Sequence, residues 1–193
     1  MTLNSQYARV WSGADSKVWL AKSGTTLPAA LAAPTGMLDA GWLTEDGVKY
    51  SNDKDVSEIN GFQGGGLIRR DVTKVVQGFN FVLAEDNWLA QYIMYAGQLP
   101  TIATGVATTN IAAGQNNQLV LAGVIDLVDD TYTDRYVCSA LSCIYTGETT
   151  LGKGGELKAI TVEARIVAGS VAERRTNSPG VVAMDTAARA ALV

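Results

Sequence analysis

The chain has no histidine, only two cysteines and four prolines among 193 residues, and few cations. Without an imidazole there is no Ser-His or Cys-His nucleophile, no His-led acid or base, and no His-containing zinc or haem site. A large share of enzyme mechanisms is thereby excluded. No apolar run approaches the ~18 residues of a membrane-crossing helix. Fifteen basic against 19 acidic side chains leave a net charge of −4, which gives no counterion-release drive for gripping nucleic acid; a specific DNA reader carries a basic stripe.

Cys138 and Cys143 lie in one apolar, β-rich run. In a regular strand their Cα atoms stand roughly 16 Å apart with side chains on opposite faces, too far for a disulfide. Unbridged thiols suit a reducing compartment, and residues 1–10 lack the charged start and apolar core of a secretory leader. The expectation is a soluble protein made in cytoplasm.

What is present is 47% apolar residues, enough for the core of one domain. Residues 1–16 are mixed and polar, with isolated Tyr7, Val10 and Trp11, and read as an N-terminal arm. A short strand at 17–22 leads into a Ser/Gly/Thr/Pro/Ala-rich loop through Pro34 and Gly36. Residues 37–66 show no clear period: Trp42, Tyr50, Ile59 and Phe62 are spaced among Asp and Glu, Asp46-Gly47 signals a turn, and Gly64, Gly65 and Gly66 form a hinge. A segment this long inside a compact domain is functional or disordered, and its spaced apolar residues argue for burial against something.

Residues 67–85 read as strand, with Phe79, Phe81 and Leu83 on one face and Gly78 and Asn80 on the other. A helix follows at about 87–96, capped by Asp86, with an apolar stripe of Trp88, Leu89, Tyr92, Ile93 and Ala96 and an end at Gly97; the stripe reads as core rather than cofactor surface. Residues 101–117 are loop-like. Strands are expected at 118–128, 132–146 and 156–168, the last with Ile160, Val162, Ala164 and Ile166 opposite Thr161, Glu163 and Arg165. Residues 171–193 read as a C-terminal tail. The fold class is mainly β: one antiparallel sandwich or partial barrel over residues 17–170, with one flanking α-helix.

The chemical candidates are weak. The run GETTLGK at 147–153 has phosphate-loop spacing, but Gly154 replaces the Mg²⁺-holding hydroxyl and a strand follows where anion binding needs a helix N-terminus. It reads as a loop between strands. Asp126, Asp129, Asp130 and Asp134 crowd one turn, and Asp53, Asp55 and Glu58 another segment; neither group has EF-hand spacing or its glycine, so a solvated turn or an electrostatic surface is expected. Nothing marks a carboxylate pair for glycoside hydrolysis. No enzymatic role, cofactor or metal is expected.

The run LDAGWLTEDGV at 38–48, the acidic stretch leading to NGFQG at 60–64, and Arg69-Arg70 before FNFVLAEDN at 79–87 and a helix together form a pattern. It resembles the major tail tube proteins of long-tailed, non-contractile bacteriophages, especially those infecting actinobacteria, over roughly residues 19–168. The resemblance implies a β-sandwich subunit with a flanking helix, a virion protein of the tail, six copies to a ring. Rings stack, and the inner strands join into one barrel through which DNA passes without specific binding. It also implies a tape measure protein and tail-end proteins as partners. Four strands from each of six subunits, about 24 in all, at ~4.8 Å spacing and ~40° tilt, close at roughly 48 Å backbone diameter, ample for a duplex.

On that resemblance the segment at about 44–65, with Asp46 in it, is an inter-ring arm, with Tyr50, Ile59 and Phe62 as apolar anchors and Asp53, Asp55 and Glu58 setting register with basic partners. The alternative is a folded surface loop. The candidates for the bore are Gly78, Asn80, Thr161, Glu163 and Arg165, with Arg69, Asp71 and Thr73; plain exposure on an outer sheet remains equally open. Other readings of the chain are a capsid-decorating or other phage structural β domain, and a carbohydrate- or ligand-binding sandwich. For the latter, Trp11, Trp19 and Trp42 could supply an aromatic platform, although they fall in separate elements.

Overall fold

A computed structural model of the chain describes residues 11, 14–60, 66–111, 118–151 and 158–182. The arm residues before Trp11, the anchor Phe62, the Gly64-Gly65 part of the hinge, the end of the phosphate-loop-like run and the final Ala-rich residues lie outside them. The strands in chain order are β1 (Lys17–Lys22), β2 (Leu38–Asp39), β3 (Leu43–Asn60), β4 (Leu67–Leu83), β5 (Thr101–Ala103), β6 (Val106–Thr108), β7 (Leu119–Asp129), β8 (Tyr132–Tyr145), β9 (Ile160–Ile166) and β10 (Ala172–Thr176). Helix α1 (Trp88–Met94) follows β4, and a single turn, α2 (Pro179–Val182), follows β10.

All strand pairs are antiparallel, and the main sheet runs β2-β1-β7-β8-β9-β4-β3 without closing into a barrel. One edge of β8 is divided: β10 pairs with it from Asp134 to Cys138, and β9 from Leu141 to Tyr145. The sheet curls, so that Val18 and Leu20 of β1 join the same core cluster as Phe79, Phe81 and Leu83 of β4 and Ile160, Val162 and Ala164 of β9. The expected alternation in β4 and β9 therefore holds, and the fold is the expected mainly β, sandwich-like class.

Helix α1 closes the core with Leu89, Ala90 and Ile93. Its N-cap is Asn87, not Asp86: the Asn87 side chain accepts from the Ala90 amide at 2.8 Å and donates to the Ala40 carbonyl at 2.9 Å. Asp86 instead receives Lys158 Nζ at 2.8 Å and Gln91 Nε2 at 2.8 Å. Those bonds, led by Lys158, hold its carboxyl below the ordinary value of 3.8. This tie between the residues just before α1 and those just before β9 is complete above that value and is lost as the pH falls through the lowered one.

Two irregularities change which side chains share a face. Leu121 pairs with Leu141 but Gly123 with Cys138, so β8 carries one extra residue between them. The alternation of β8 reverses there, and Cys138 and Cys143 both enter the main core cluster, correcting the opposite-face expectation. Both thiols are free. Burial raises Cys138 to about 11 and Cys143 to about 12, the latter also through Cys138.

The second face of β1, β7 and β8 is covered too. Ala21, Ala122, Val124 and Val137 pack with Met37, Leu27 and Trp19 beneath the loop after β1. Asp126 and Arg135 are cross-strand partners, 7% and 4% exposed, and form a two-pronged ion pair at 2.5 and 2.8 Å. The same guanidinium donates to the Ala32 carbonyl at 2.5 Å, and Arg175 on β10 donates to the Pro28 carbonyl at 2.6 Å. Asp134 is likewise buried and receives Arg174 at 2.8 and 2.9 Å. Asp126 and Asp134 are thus buried carboxylates paired with Arg135, itself buried, and with the more exposed Arg174, not members of the solvated turn expected from their spacing.

Removing one member of a buried pair strands the other charge. Arg135→Ala is expected to lower unfolding free energy by about 3–5 kcal/mol in urea denaturation, whereas the paired Asp126→Leu, Arg135→Met exchange costs far less. The thiols provide an independent check on the core. Neither should react with a disulfide reagent at pH 8 in the folded chain, and both should react once it is unfolded.

Candidate assembly surface

Strand β3 pairs with β4 over almost its whole length, from Leu43 opposite Leu83 to Asn60 opposite Leu67. The core, however, ends near Phe79. Beyond Ser51 and Gly78 the two strands run on as a ribbon whose residues are almost all exposed, about 30 Å long at ~3.3 Å per residue. The segment read as a loop or arm is therefore a β ribbon. Asp46-Gly47 is no hairpin turn but the irregular step in β3 where register shifts between Leu43 and Val48.

Register divides the ribbon's side chains. Tyr50 opposes Phe79, Lys54 opposes Val75 and Val56 opposes Val72, all on the face continuous with the core. The Tyr50 ring lies 5.4 Å from Phe79 and 6.1 Å from Tyr136, so it anchors the ribbon's root. Ile59 is 52% exposed near the tip, with Leu67 and Ile68 exposed beside it. Glu58 pairs with Arg70 and Asp46 with Lys49, each at 3.3 Å, while Asp55 opposes Lys74. The expected register-setting carboxylates are thus spread along both faces.

On the other face lie Gly78, Asn80, Thr161, Glu163 and Arg165, brought together by the β4–β9 register. β4 has one extra residue, Thr73, between Lys74 and Val72, and its hydroxyl donates to the Asp55 carbonyl at 3.2 Å. This shift moves Asp71 and Arg69, opposite Ser57 and Ile59, onto the Gly78 face. In an unbroken strand, odd-numbered Arg69 and Asp71 would share the Phe79 face. Arg165 is the hub: it donates to Glu163 at 2.5 Å, Ser51 at 2.7 Å and Asp53 at 3.3 Å. Arg69 pairs with Asp71 at 2.6 Å.

Arg165 lies across Gly78, where a Cβ would stand 2.5 Å from the Ala164 carbonyl oxygen and 2.8 Å from Arg165 Cδ. Only a glycine leaves this crossing open.

β3 and β2 are the ends of the sheet order. Among the described residues the outer edge of β3, 18 residues long, meets no strand. At the ribbon's root a cleft of about 970 Å³ is lined by Trp11 and Trp42 together with Asp15, Glu45 and Glu85. Trp11 and Trp42, separate in sequence, thus share one site, while Trp19 lies apart under Lys17, 5.5 Å from its ring centroid. Lys17 binds Asp39 at 2.6 Å, and its pKa is raised by Asp39 first, with further contributions from Asp15 and Glu85. Thr44 Oγ1, also at the cleft, is buried with no hydrogen-bond partner among the described residues.

Sequence reasoning missed β10 with Arg174 and Arg175, whose pairing with β8 brings part of the expected tail into the sheet. It missed the exposed β5–β6 hairpin as well. Among the described residues no group of His, Cys, Asp and Glu is arranged to hold a metal.

Gly78→Ala is expected to displace Arg165 and cost roughly 1–3 kcal/mol by overpacking, measured as a shift of the denaturation midpoint.

No protein-family model matches the chain, and no curated protein matches it.

Proposed function

We propose that this chain is a structural virion protein, a tail tube subunit that assembles into stacked hexameric rings and forms the conduit for DNA ejection. The observation that carries the reading is the β3 edge: a strand far longer than the core that supports it, open along one side, and prolonged into a ribbon with apolar residues on its surface. An exposed edge of this length is a template for another chain and a hazard unless one covers it. Joining sheets around a ring removes the edges.

The polar face suits passage of DNA without capture. Arg165 and Arg69, the cations expected at the bore, are each held by carboxylates of the same face. Phosphate would therefore meet both guanidiniums already paired, with Lys74 there set opposite Asp55, and a net charge of −4 per subunit adds repulsion. The tape measure and tail-end partners follow from the same resemblance. A second reading, a carbohydrate-binding sandwich, is favoured by the meeting of Trp11 and Trp42 with carboxylates in one cleft.

Negative-stain microscopy at rising protein concentration separates these readings. Rings or tubes with a central hole are expected; a persistent monomer that binds oligosaccharide overturns the tube reading. Replacing residues 53–76 by an Asn-Gly turn between Asn52 and Gln77 removes the ribbon and leaves the core strands paired. The shortened chain is expected to keep its β-sheet circular dichroism and lose tube growth. Tubes grown from it at parental concentration would show that the ribbon has no part in stacking.

A further inference from the structure

Ion pairing within the chain leaves charge of opposite sign on different surfaces. Most described cations lie against a carboxylate, but Lys22, Lys54 and Lys74 have no ion-pair partner among the described residues; of the two on the ribbon, Lys74 opposes Asp55 on the polar face and Lys54 opposes Val75. Register places Lys54 on the core-continuing face with Val56, Val72 and Val75, which are 38%, 56% and 50% exposed. The ribbon thus carries an apolar stripe with one uncommitted ammonium in it.

The cleft at the root has the complementary chemistry. Trp42, 76% exposed, offers a large apolar surface, and Asp15, Glu45 and Glu85 beside it pair with no cation among the described residues. Lys17 at the cleft has its pKa raised first by its bond to Asp39 and then by the charges of Asp15 and Glu85. Valine side chains fit against an indole, and an ammonium beside an indole and carboxylates gains both cation–π and charge interactions.

The two surfaces cannot meet within one molecule. β3 is continuous from Leu43 to Asn60, so Lys54 stands about 20 Å along the strand from Val48, which lines the cleft. The occupant that matches in charge and in apolar character is therefore a second copy. We propose that the ribbon of one copy seats in the root cleft of the next, its valine stripe against Trp42 and Lys54 among Asp15, Glu45 and Glu85. Donor and acceptor surfaces differ, so every copy both gives and receives, and the contact repeats head to tail; between stacked rings it runs along the tube axis and stays open. The inference deepens the tube reading and rests on it: this is the seat that joins successive rings.

Charge reversal tests the seat. Lys54→Glu and Glu45→Lys are each expected to raise the protein concentration needed for tubes roughly tenfold at low salt, less at high salt, and the double variant to recover most of the loss. A mixing experiment guards against misfolded variants. Chains carrying Trp42→Cys are mixed with chains carrying Val75→Cys and treated with a short bis-maleimide. A linked heterodimer is expected, against a silent background because Cys138 and Cys143 are buried. If the parent forms tubes while reversal changes nothing and no heterodimer appears, the seat is overturned and the tube reading stands. If the parent forms no rings or tubes at any concentration, both fall.

Discussion

The backbone hydrogen-bonding capacity of β3 exceeds what the described residues satisfy. One side of the strand is paired with β4 almost throughout, and the other side is an open row of donors and acceptors among the described residues. Near the root the side chains are held by the core, through Tyr50 against Phe79 and Tyr136. Farther out, among the described residues, they are held by cross-strand neighbours. An isolated two-stranded ribbon is marginal in water, so this one depends on its rooted end and on ion pairs such as Glu58–Arg70 and Arg69–Asp71. Exposed pairs of that kind each contribute no more than about 1 kcal/mol. The ribbon is consequently the part of the chain with the least to lose and the most to gain from a partner.

The opposite half of the sheet is finished internally. There the outer face would expose Ala122, Val124 and Val137, but the loop after β1 covers them with Leu27 and Met37. A loop rich in Ala, Pro and Gly has little side chain with which to hold itself down. Arginines on the sheet do it instead, Arg135 through the Ala32 carbonyl and Arg175 through the Pro28 carbonyl. Asp126 lets Arg135 be buried in that role, because its carboxylate neutralises the charge while the remaining N–H group reaches the loop. The chain thus shields the second face of β1, β7 and β8 and, among the described residues, leaves the β3 edge open.

Much of the core was legible in the sequence because its strands are half-buried and regular. β9 alternates cleanly, β1 was placed at its observed bounds, and Phe79, Phe81 and Leu83 point inward as their spacing implies. The misses have specific causes. β3 shows no alternation because both of its faces are exposed beyond Ser51, and Gly47, Asn52, Asp53 and Asn60 are poor strand formers. β10 reads as polar tail because its side chains are recruited as straps and ion-pair partners rather than as core. A register shift is nearly invisible in a single sequence, yet one such shift brings Cys143 to the same cluster as Cys138 and another moves Arg69 and Asp71 to the face of Gly78. The candidate polar face was therefore assembled correctly only where its strands are unbroken, at Gly78, Asn80, Thr161, Glu163 and Arg165.

The distribution of charge along β3 and β4 separates two kinds of contact that an assembly of this chain would need. Backbone along the free β3 edge has no side-chain specificity, so it can extend a sheet sideways but cannot by itself fix a partner's height. The ribbon's faces carry that information, since Lys54, Glu58 and Arg70 are interleaved with Val56, Val72 and Val75 along one face; slipping by one residue would turn that face over, and slipping by two would set charge where a valine belongs. Gly78 sits where the two regimes meet, at the last well-buried step of β4, with Arg165 laid over it and tied to Ser51 and Asp53 across the root. Fixing the root in this way sets the direction in which the ribbon leaves the domain. A ribbon about 30 Å long magnifies any error in that direction at its tip, so the polar cluster around Arg165 acts on contacts far from itself by aiming the strands that make them.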